Sequence, residues 1–167
     1  MTVLRVVGEA ECTSVSVESD RFLPLKISWW PRGQIQPLYL RVTGASGGEV
    51  EFKVDPGSGA LLQVIVIVEP PKPEQDQVQS FVPRDGVADK TPRLDLSLWA
   101  PSPEHRTGAD QRPVFTVAQF LTLSTDGGKA VLRVSEQQAV DWIRCDGVAV
   151  GVSAERTLVT VEAELTS

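Results

Sequence analysis

Few side chains in this sequence have the type and spacing that chemistry requires. His105 is the only histidine, and a catalytic serine or cysteine would need it as the base, but nothing in its proline-rich surroundings fixes its position. Cys12 and Cys145 are far apart and have no CxxC or Cys/His companions, so a zinc site is not predicted. The sequence favours two buried thiols over a long-range disulfide. We predict no metal ion and no cofactor.

The acidic residues and the glycine-rich turns also lack a catalytic arrangement. Glu162 and Glu164 alternate with apolar residues on the last predicted strand, which is typical of a solvated face, although glycoside hydrolysis also uses two acids. The turns at residues 44–48 and 126–128 lack the lysine and the following helix of a phosphate-binding loop. The sequence therefore favours a protein that is not an enzyme.

The charge of the chain limits its partners. The formal net charge is −6 and the lysines and arginines do not cluster, so neither DNA nor RNA is expected as a partner. The longest apolar run, residues 64–68, is far shorter than a membrane span, and the first residues lack the features of a signal peptide. We therefore expect a cytoplasmic protein without a membrane partner, whose acidic surface favours a basic protein.

Alternating apolar and polar residues predict an all-β protein with little helix. Val50, Phe52 and Val54 alternate with charged residues, and a turn at residues 55–59 leads into a second strand. No window of eleven residues shows a convincing helical period. The predicted strands span residues 25–30, 38–43, 50–54, 61–68, 94–99, 114–124 and 129–134, with weaker candidates at 3–7 and 14–18.

An internal repeat organises these strands. In the same order along the chain, residues 25–31 resemble 94–100, 39–42 resemble 142–145, 50–55 resemble 148–153, and 61–68 resemble 158–165. We predict a single domain, residues 1–167, with halves at about 1–69 and 92–167, a proline-rich linker at 70–80 and an insertion at about 101–134. Each half would form a sheet with one apolar face. Packing the two faces together gives an antiparallel β-sandwich or a flattened barrel.

The two halves differ at positions where a function could reside. Ile65 and Ile67 occupy the positions that Glu162 and Glu164 hold in the second half, so the strand at 61–68 is apolar on both faces. A contiguous exposed apolar patch is unusual in a monomer. The inserted segment, the N-terminal strands or a second protein molecule is therefore expected to cover these isoleucines.

Four aromatic residues recur at related positions. Trp30 and Trp99 lie on the polar side of their predicted strands. A tryptophan there can anchor a partner or be covered by the next loop. Tyr39 and Trp142 occupy matching positions in the two halves. All four rings could then line a shared cleft.

The closing hairpin resembles that of small, acidic, all-β bacterial proteins. Its pattern is an apolar strand, the turn VSAER at residues 152–156, then Leu158 and a last strand. Some proteins of that kind resemble immunity proteins, which neutralise toxins. The resemblance implies a protein-binding function and assigns no functional residue.

Three functions remain as alternatives. The leading hypothesis is a non-enzymatic protein-binding domain, of the immunity type, that neutralises a basic toxin partner. The second is a structural subunit of a larger assembly, with a contact between copies of the chain. The third is binding or processing of a small molecule or carbohydrate in the aromatic cleft. The candidate binding residues are Ile65, Ile67, Trp30, Trp99, Tyr39 and Trp142.

Overall fold

The protein is nearly all β. A computed structural model describes residues 4–30, 36–74, 89–99 and 114–165, and strands account for 60% of the structure. The all-β prediction is confirmed. The sheets do not close into a barrel, which leaves the sandwich of the two predicted alternatives. Within the described ranges, no helix is long and apolar enough to cross a membrane.

Two large sheets and one ribbon contain the described strands. We call the sheet ordered β2-β3-β6-β5-β4-β8 sheet I, and the sheet ordered β11-β12-β13-β10-β9 sheet II; β1 and β7 form the ribbon. All pairs are antiparallel except β4 with β8, which is parallel. The strand bounds are β1 Val6–Glu11, β2 Ser14–Glu18, β3 Leu25–Trp30, β4 Leu38–Gly44, β5 Glu49–Val54, β6 Leu61–Val68, β7 Lys90–Leu94, β8 Val114–Gln119, β9 Thr122–Ser124, β10 Lys129–Arg133, β11 Asp141–Cys145, β12 Val148–Val152 and β13 Leu158–Glu164.

The core lies between the facing sides of the two sheets. Phe52 and Val64 of sheet I and Val150 and Val161 of sheet II are fully buried and belong to one continuous apolar cluster. These residues are the apolar members of the alternating pattern in the sequence. Phe52 lies opposite Val64, and Val150 lies opposite Val161, so each pair points to the same side of its sheet. Burying such a side chain contributes about 1.5–3 kcal/mol to folding, so the alternation decides which face is inside.

The two sheets share a strand order. Without β8, the order β2-β3-β6-β5-β4 in sheet I corresponds to β9-β10-β13-β12-β11 in sheet II. The pairing of Phe52 with Val64 corresponds to that of Val150 with Val161. A register shift interrupts β5–β6 just before Val54 and β12–β13 just before Val152, which are aligned residues of the proposed repeat. A common origin of the two sheets stays a prediction that this correspondence supports.

The strand order matches β3 with β10 rather than with residues 94–100. Ile27 of β3 pairs with Val64, and Leu132 of β10 pairs with Val161 in the equivalent place. Residues 101–134, predicted as an insertion, therefore include β10 and β9, which occupy the places of β3 and β2. The described part of that range begins at residue 114.

The prediction of a strand at residues 94–99 is wrong. Strand β7 ends at Leu94, and Leu96–Trp99 form a short 3-10 helix. The Asp95 carboxylate accepts a hydrogen bond from the Ser97 backbone N–H at 2.9 Å, and such a local bond competes with strand pairing. The alternation of Leu94, Leu96 and Leu98 predicted a strand. Hydrophobic periodicity contains no information about the hydrogen bond between Asp95 and Ser97, which favours the turn.

A disulfide joins the two sheets, so the prediction of two buried thiols is wrong. Cys12 lies between β1 and β2, and Cys145 is the last residue of β11; their Cα atoms are 6.4 Å apart. Both side chains are buried. A separation of 133 residues in sequence gave no sign that the sandwich brings these two positions together.

Candidate functional site

The structure distinguishes the two isoleucines predicted to contact a partner. Ile65 lies on the outer face of sheet I, paired with Lys26 of β3 on one side and Glu51 of β5 on the other, and is half-buried. Ile67, near the end of the same strand, is 46% exposed, and the following Val68 is also exposed. Residues on neighbouring strands therefore flank Ile65, whereas the end of β6 is open to solvent.

The corresponding strand of sheet II has the opposite character. Glu162 was expected on a solvated face, yet it is only 1% exposed, and this expectation is wrong. The Lys129 ammonium on β10 forms an ion pair with the Glu162 carboxylate. Thr160 and Arg133 on the same outer face are also buried. Burial of a charge requires a partner, which the neighbouring strand supplies here.

The four aromatic residues predicted to share a cleft lie in three places. The Trp99 indole Nε1 donates a hydrogen bond to the Tyr39 carbonyl oxygen at 2.9 Å, so these two residues are neighbours. Trp30 is on β3, which is three strands away from β4 in sheet I, or about 14 Å at the usual strand spacing. Trp142 is on β11 of sheet II, with its ring close to Gly151. All four side chains are half-buried.

An exposed apolar surface forms at one end of sheet I. Phe22, in the loop between β2 and β3, is 85% exposed. The loop ends at Leu25, which pairs with Val66, so Phe22 lies at the same end of the sheet as Ile67 and Val68. We call Phe22, Ile67 and Val68 the end patch. Exposed apolar side chains grouped at one end of a sheet are a candidate surface for protein binding.

Hydrogen bonds hold the loop that carries Phe22. The Asp20 carboxylate oxygen Oδ1 accepts hydrogen bonds from the backbone N–H groups of Phe22 and Leu23 at 2.7 and 2.8 Å. The Asp20 N–H donates to the Leu23 carbonyl at 2.8 Å, and the Ser19 hydroxyl donates to the Pro24 carbonyl at 2.7 Å. A loop that is fixed before binding loses less conformational entropy when a partner docks.

Acidic residues accompany the end patch. Glu18 and Asp20 flank the Phe22 loop, Glu49 begins β5, and Glu69 follows Val68 directly. Three cations are also present: Lys26 forms a 3.6 Å ion pair with Glu18, Arg41 forms a 3.8 Å ion pair with Glu49, and the Arg21 guanidinium lies 5.1 Å from the centre of the Phe22 ring. The acidic groups at this end outnumber the cations named with them.

A cleft of about 410 Å³ opens at the same end, between the β4–β5 turn, residues 71–74 and the start of β9. That volume is in the range of small-molecule sites. Arg133 lines the cleft and is buried, and its Nη2 donates to the carbonyls of Ser135 and Gln137 at 3.1 and 2.9 Å. Its aromatic lining residue is Phe120, which is none of the four predicted rings. Arg133 therefore stabilises the turn that follows β10.

The electrostatics of the described residues indicate structural roles. Burial lowers the pKa of Arg133, and the negative charges of Glu136 and Glu162 oppose that shift. The Asp95 pKa is lowered chiefly by the hydrogen bond from the Ser97 backbone. Within the described ranges, no group of three or more metal-ligating side chains comes together. His105 lies outside the described residues, so the prediction about it is not addressed.

Comparison with known proteins adds no family: no protein-family model matches the chain, and no curated protein sequence matches it.

Phe22 was missed in the sequence because a single aromatic residue in a loop has no periodic pattern. The signal that could have found it is Asp20, since an aspartate two residues before a loop residue often caps a tight turn.

Proposed function

We propose that this protein is a non-enzymatic protein-binding domain that binds through the end patch. The observation that carries the proposal is the exposure of Phe22, Ile67 and Val68 on hydrogen-bonded structure. Aromatic side chains in a preformed loop bury a large area with few rotamers to lose, which is typical of binding hot spots. Of the six candidate residues from the sequence, Ile67 belongs to this surface.

The partner of the end patch is a basic protein. Glu18 ends the strand before the Phe22 loop, Asp20 lies in that loop and Glu69 follows Val68, and the whole chain has a net charge of −6. Acidic groups at the rim speed the encounter with a basic partner, while the apolar centre supplies most of the affinity. A basic toxin domain, neutralised by an immunity-type protein, is one partner with this chemistry and forms part of the proposal.

The test compares four forms of the full chain as bait against an extract of the source cells. We expect the Phe22→Ser and Ile67→Ser variants to capture at least about tenfold less of one specific protein than the unchanged chain does. Each substitution removes an apolar side chain from the centre of the contact. Serine leaves the charge unchanged, so the loss would report apolar contact. Val140→Ser, which changes an exposed valine between β10 and β11, is the matched control and should keep the protein.

The charge of the partner is tested in the same experiment. Raising the salt concentration should weaken capture by the unchanged chain, because exposed charges are screened within about 10 Å at 0.1 M salt. The retained protein should have a basic isoelectric point. The proposal fails if no protein distinguishes the two patch variants from the Val140→Ser control while all four forms melt at similar temperatures.

The cytoplasmic location predicted from the sequence has to be reconciled with the disulfide. Thiols in the cytosol are usually kept reduced, whereas disulfides persist in oxidising compartments. The Cys12–Cys145 bond therefore favours a protein that meets its partner outside the cytosol. Alkylation of free thiols in freshly lysed cells, followed by mass measurement, separates the two locations: two alkylated cysteines support the cytosol, and none supports an oxidising compartment.

A further inference from the structure

The four edges of the two sheets differ in how they are protected from pairing with another strand. The β9 edge is three residues long, and its Leu123 N–H donates to the Pro71 carbonyl at 3.1 Å. The β11 edge carries the charged residues Asp141 and Arg144 and lies beside β7. The β2 edge carries Glu18 and alternating serines. Short length, charges and cover by other segments are the usual devices that prevent edge-to-edge association.

In the described part of the chain, strand β8 is six residues long, no described strand lies on its outer side, and its described neighbours are β4 and the 3-10 helix Leu96–Trp99. Its sequence, VFTVAQ at residues 114–119, contains no charge, proline or glycine, and it pairs with β4 over six consecutive residues without a bulge. Val114 is 51% exposed and Phe115 is 37% exposed. A regular, uncharged and exposed edge is a template for a further strand.

The backbone groups that face away from β4 are identified by one hydrogen bond. The Gln119 carbonyl accepts from the Ala45 N–H, which follows β4, at 3.1 Å. Since the backbone groups of successive residues alternate in direction, Phe115, Val117 and Gln119 face β4. Val114, Thr116 and Ala118 then present their N–H and C=O groups outward. Among the described residues, no backbone group pairs with that outer side.

We propose that two copies of this chain associate through β8, antiparallel, with the twofold axis at Thr116. This register places each Thr116 opposite its counterpart and each Val114 opposite Ala118 of the second copy. It satisfies the three outward-facing residues of each strand with about six backbone hydrogen bonds. Sheet I becomes continuous across the two copies, and the twofold symmetry closes the assembly at a dimer.

The side chains of β8 match themselves in this register. On the inner face, Phe115 lies beside Val117 of the second copy, which accounts for a phenylalanine left partly exposed in the single chain. Aromatic with β-branched and threonine with threonine are favourable cross-strand pairs. No like charges meet although the chain carries a net charge of −6, because 114–119 contains no charge. We assign the edge to a second copy because β8 matches its own side chains in this register and brings no like charges together.

One strand pair is smaller than the contacts of permanent dimers, which bury more than about 2,000 Å². We therefore expect a reversible dimer with a dissociation constant on the order of micromolar. This contact is separate from the end patch and does not depend on the proposed function. Either could fail while the other holds.

Sedimentation velocity across about 1 μM to 1 mM protein tests the proposal. The mass of the unchanged chain should rise from 18.1 kDa towards twice that value. Thr116→Lys places two lysines opposite each other at the axis and should weaken association at least about tenfold, since like charges directly opposite are destabilising. Thr116→Glu should do the same.

Mixing the two variants provides the decisive measurement. An equimolar mixture of Thr116→Lys and Thr116→Glu should restore the dimer, because opposite charges then face each other at the axis. Restoration also shows that both variants are folded. Ser16→Lys, a lysine on the exposed edge strand β2, is the control and should dimerise like the unchanged chain.

Three results would overturn the proposal. One is an unchanged chain that remains a monomer up to about 1 mM. The second is a dimer that tolerates Thr116→Lys as well as it tolerates Ser16→Lys, which would place the contact elsewhere on the molecule. The third is a pair of folded Thr116 variants that fail to associate when mixed.

Discussion

At the scale of single residues, the outer face of sheet II is packed more closely than its sequence indicates. A side chain at Gly151 would place its Cβ 2.7 Å from Thr160 Cγ2, 2.8 Å from Ala139 Cβ and 3.0 Å from Trp142 Cζ3. These contacts come from the neighbouring strand β13, the segment before β11, and β11 itself. Glycine is therefore required at residue 151 because neighbouring side chains occupy the space that a Cβ would need.

Gly151→Ala should lower the free energy of unfolding by about 1–3 kcal/mol, the range found when a close-packed site is overfilled. The matched control is Gly147→Ala, where the nearest atom to an added Cβ is the Glu164 carboxylate at 3.4 Å. We expect the control to change stability by less than about 0.5 kcal/mol. Urea unfolding of both variants checks this, and equal effects of the two substitutions would contradict it.

At the scale of elements, the 3-10 helix Leu96–Trp99 shows a local hydrogen bond replacing a predicted strand. Asp95 begins the turn by accepting from the Ser97 N–H, and Trp99 ends it by donating to the Tyr39 carbonyl. The turn thus connects the ribbon strand β7 to β4 of sheet I. The alternation of leucines is the same in a strand and in this turn, so periodicity alone could not separate the two.

The Asp95 bond predicts a dependence of stability on pH. Its pKa is lowered below the ordinary value of 3.8, so the ionised carboxylate stabilises the fold above that pH and the contribution disappears as the pH falls through the lowered value. Asp95→Asn should reduce stability at pH 7 by about 0.5 kcal/mol or less, since this carboxylate is mostly solvated.

Urea unfolding of both forms at about pH 7 and about pH 2, followed by tryptophan fluorescence, measures the effect, because the second value lies well below the ordinary aspartate pKa. The difference between the two forms should shrink at the lower pH. A difference that stays constant or grows would show that ionisation of Asp95 does not stabilise the turn.

At the scale of the whole molecule, the disulfide adds a covalent cross-link between the two sheets to the connections that the main chain makes. It joins Cys12, between β1 and β2, to Cys145 at the end of β11 and closes a loop across 133 residues of sequence. A long closed loop restricts the unfolded chain strongly, and removing a native disulfide commonly costs about 2–5 kcal/mol. The sandwich has its own continuous core, so we expect the reduced protein to remain folded.

Reduction should therefore lower the free energy of unfolding by about 2–5 kcal/mol in urea titrations with and without a phosphine reductant. The variant Cys12→Ala with Cys145→Ala is the control: its stability should equal that of the reduced protein and should not respond to reductant. An unchanged chain whose unfolding midpoint is the same in both conditions would show that the bond adds no stability.

The amino-acid sequence by itself determined the fold class and most of the strands. Alternation at residues 50–54 and 61–68 fixes which side chains are inside, because apolar burial acts through the two-residue period of a strand. The alignment of Phe52 with Val150 and of Val64 with Val161 came from the same pattern, and in the structure Phe52 pairs with Val64 as Val150 pairs with Val161. Ile67 was also identified there, as an apolar side chain at the position that Glu164 holds in the second half.

The tertiary structure alone decided which surfaces are open. In the folded chain Glu162 is buried and Phe22 is exposed. Cys12 lies next to Cys145, and β8 is an edge strand of sheet I. Each of these outcomes depends on which strands become neighbours, and that is set by contacts between residues far apart in the chain. Local patterns describe how a strand divides into two faces, whereas exposure and pairing depend on what the rest of the molecule places against each face.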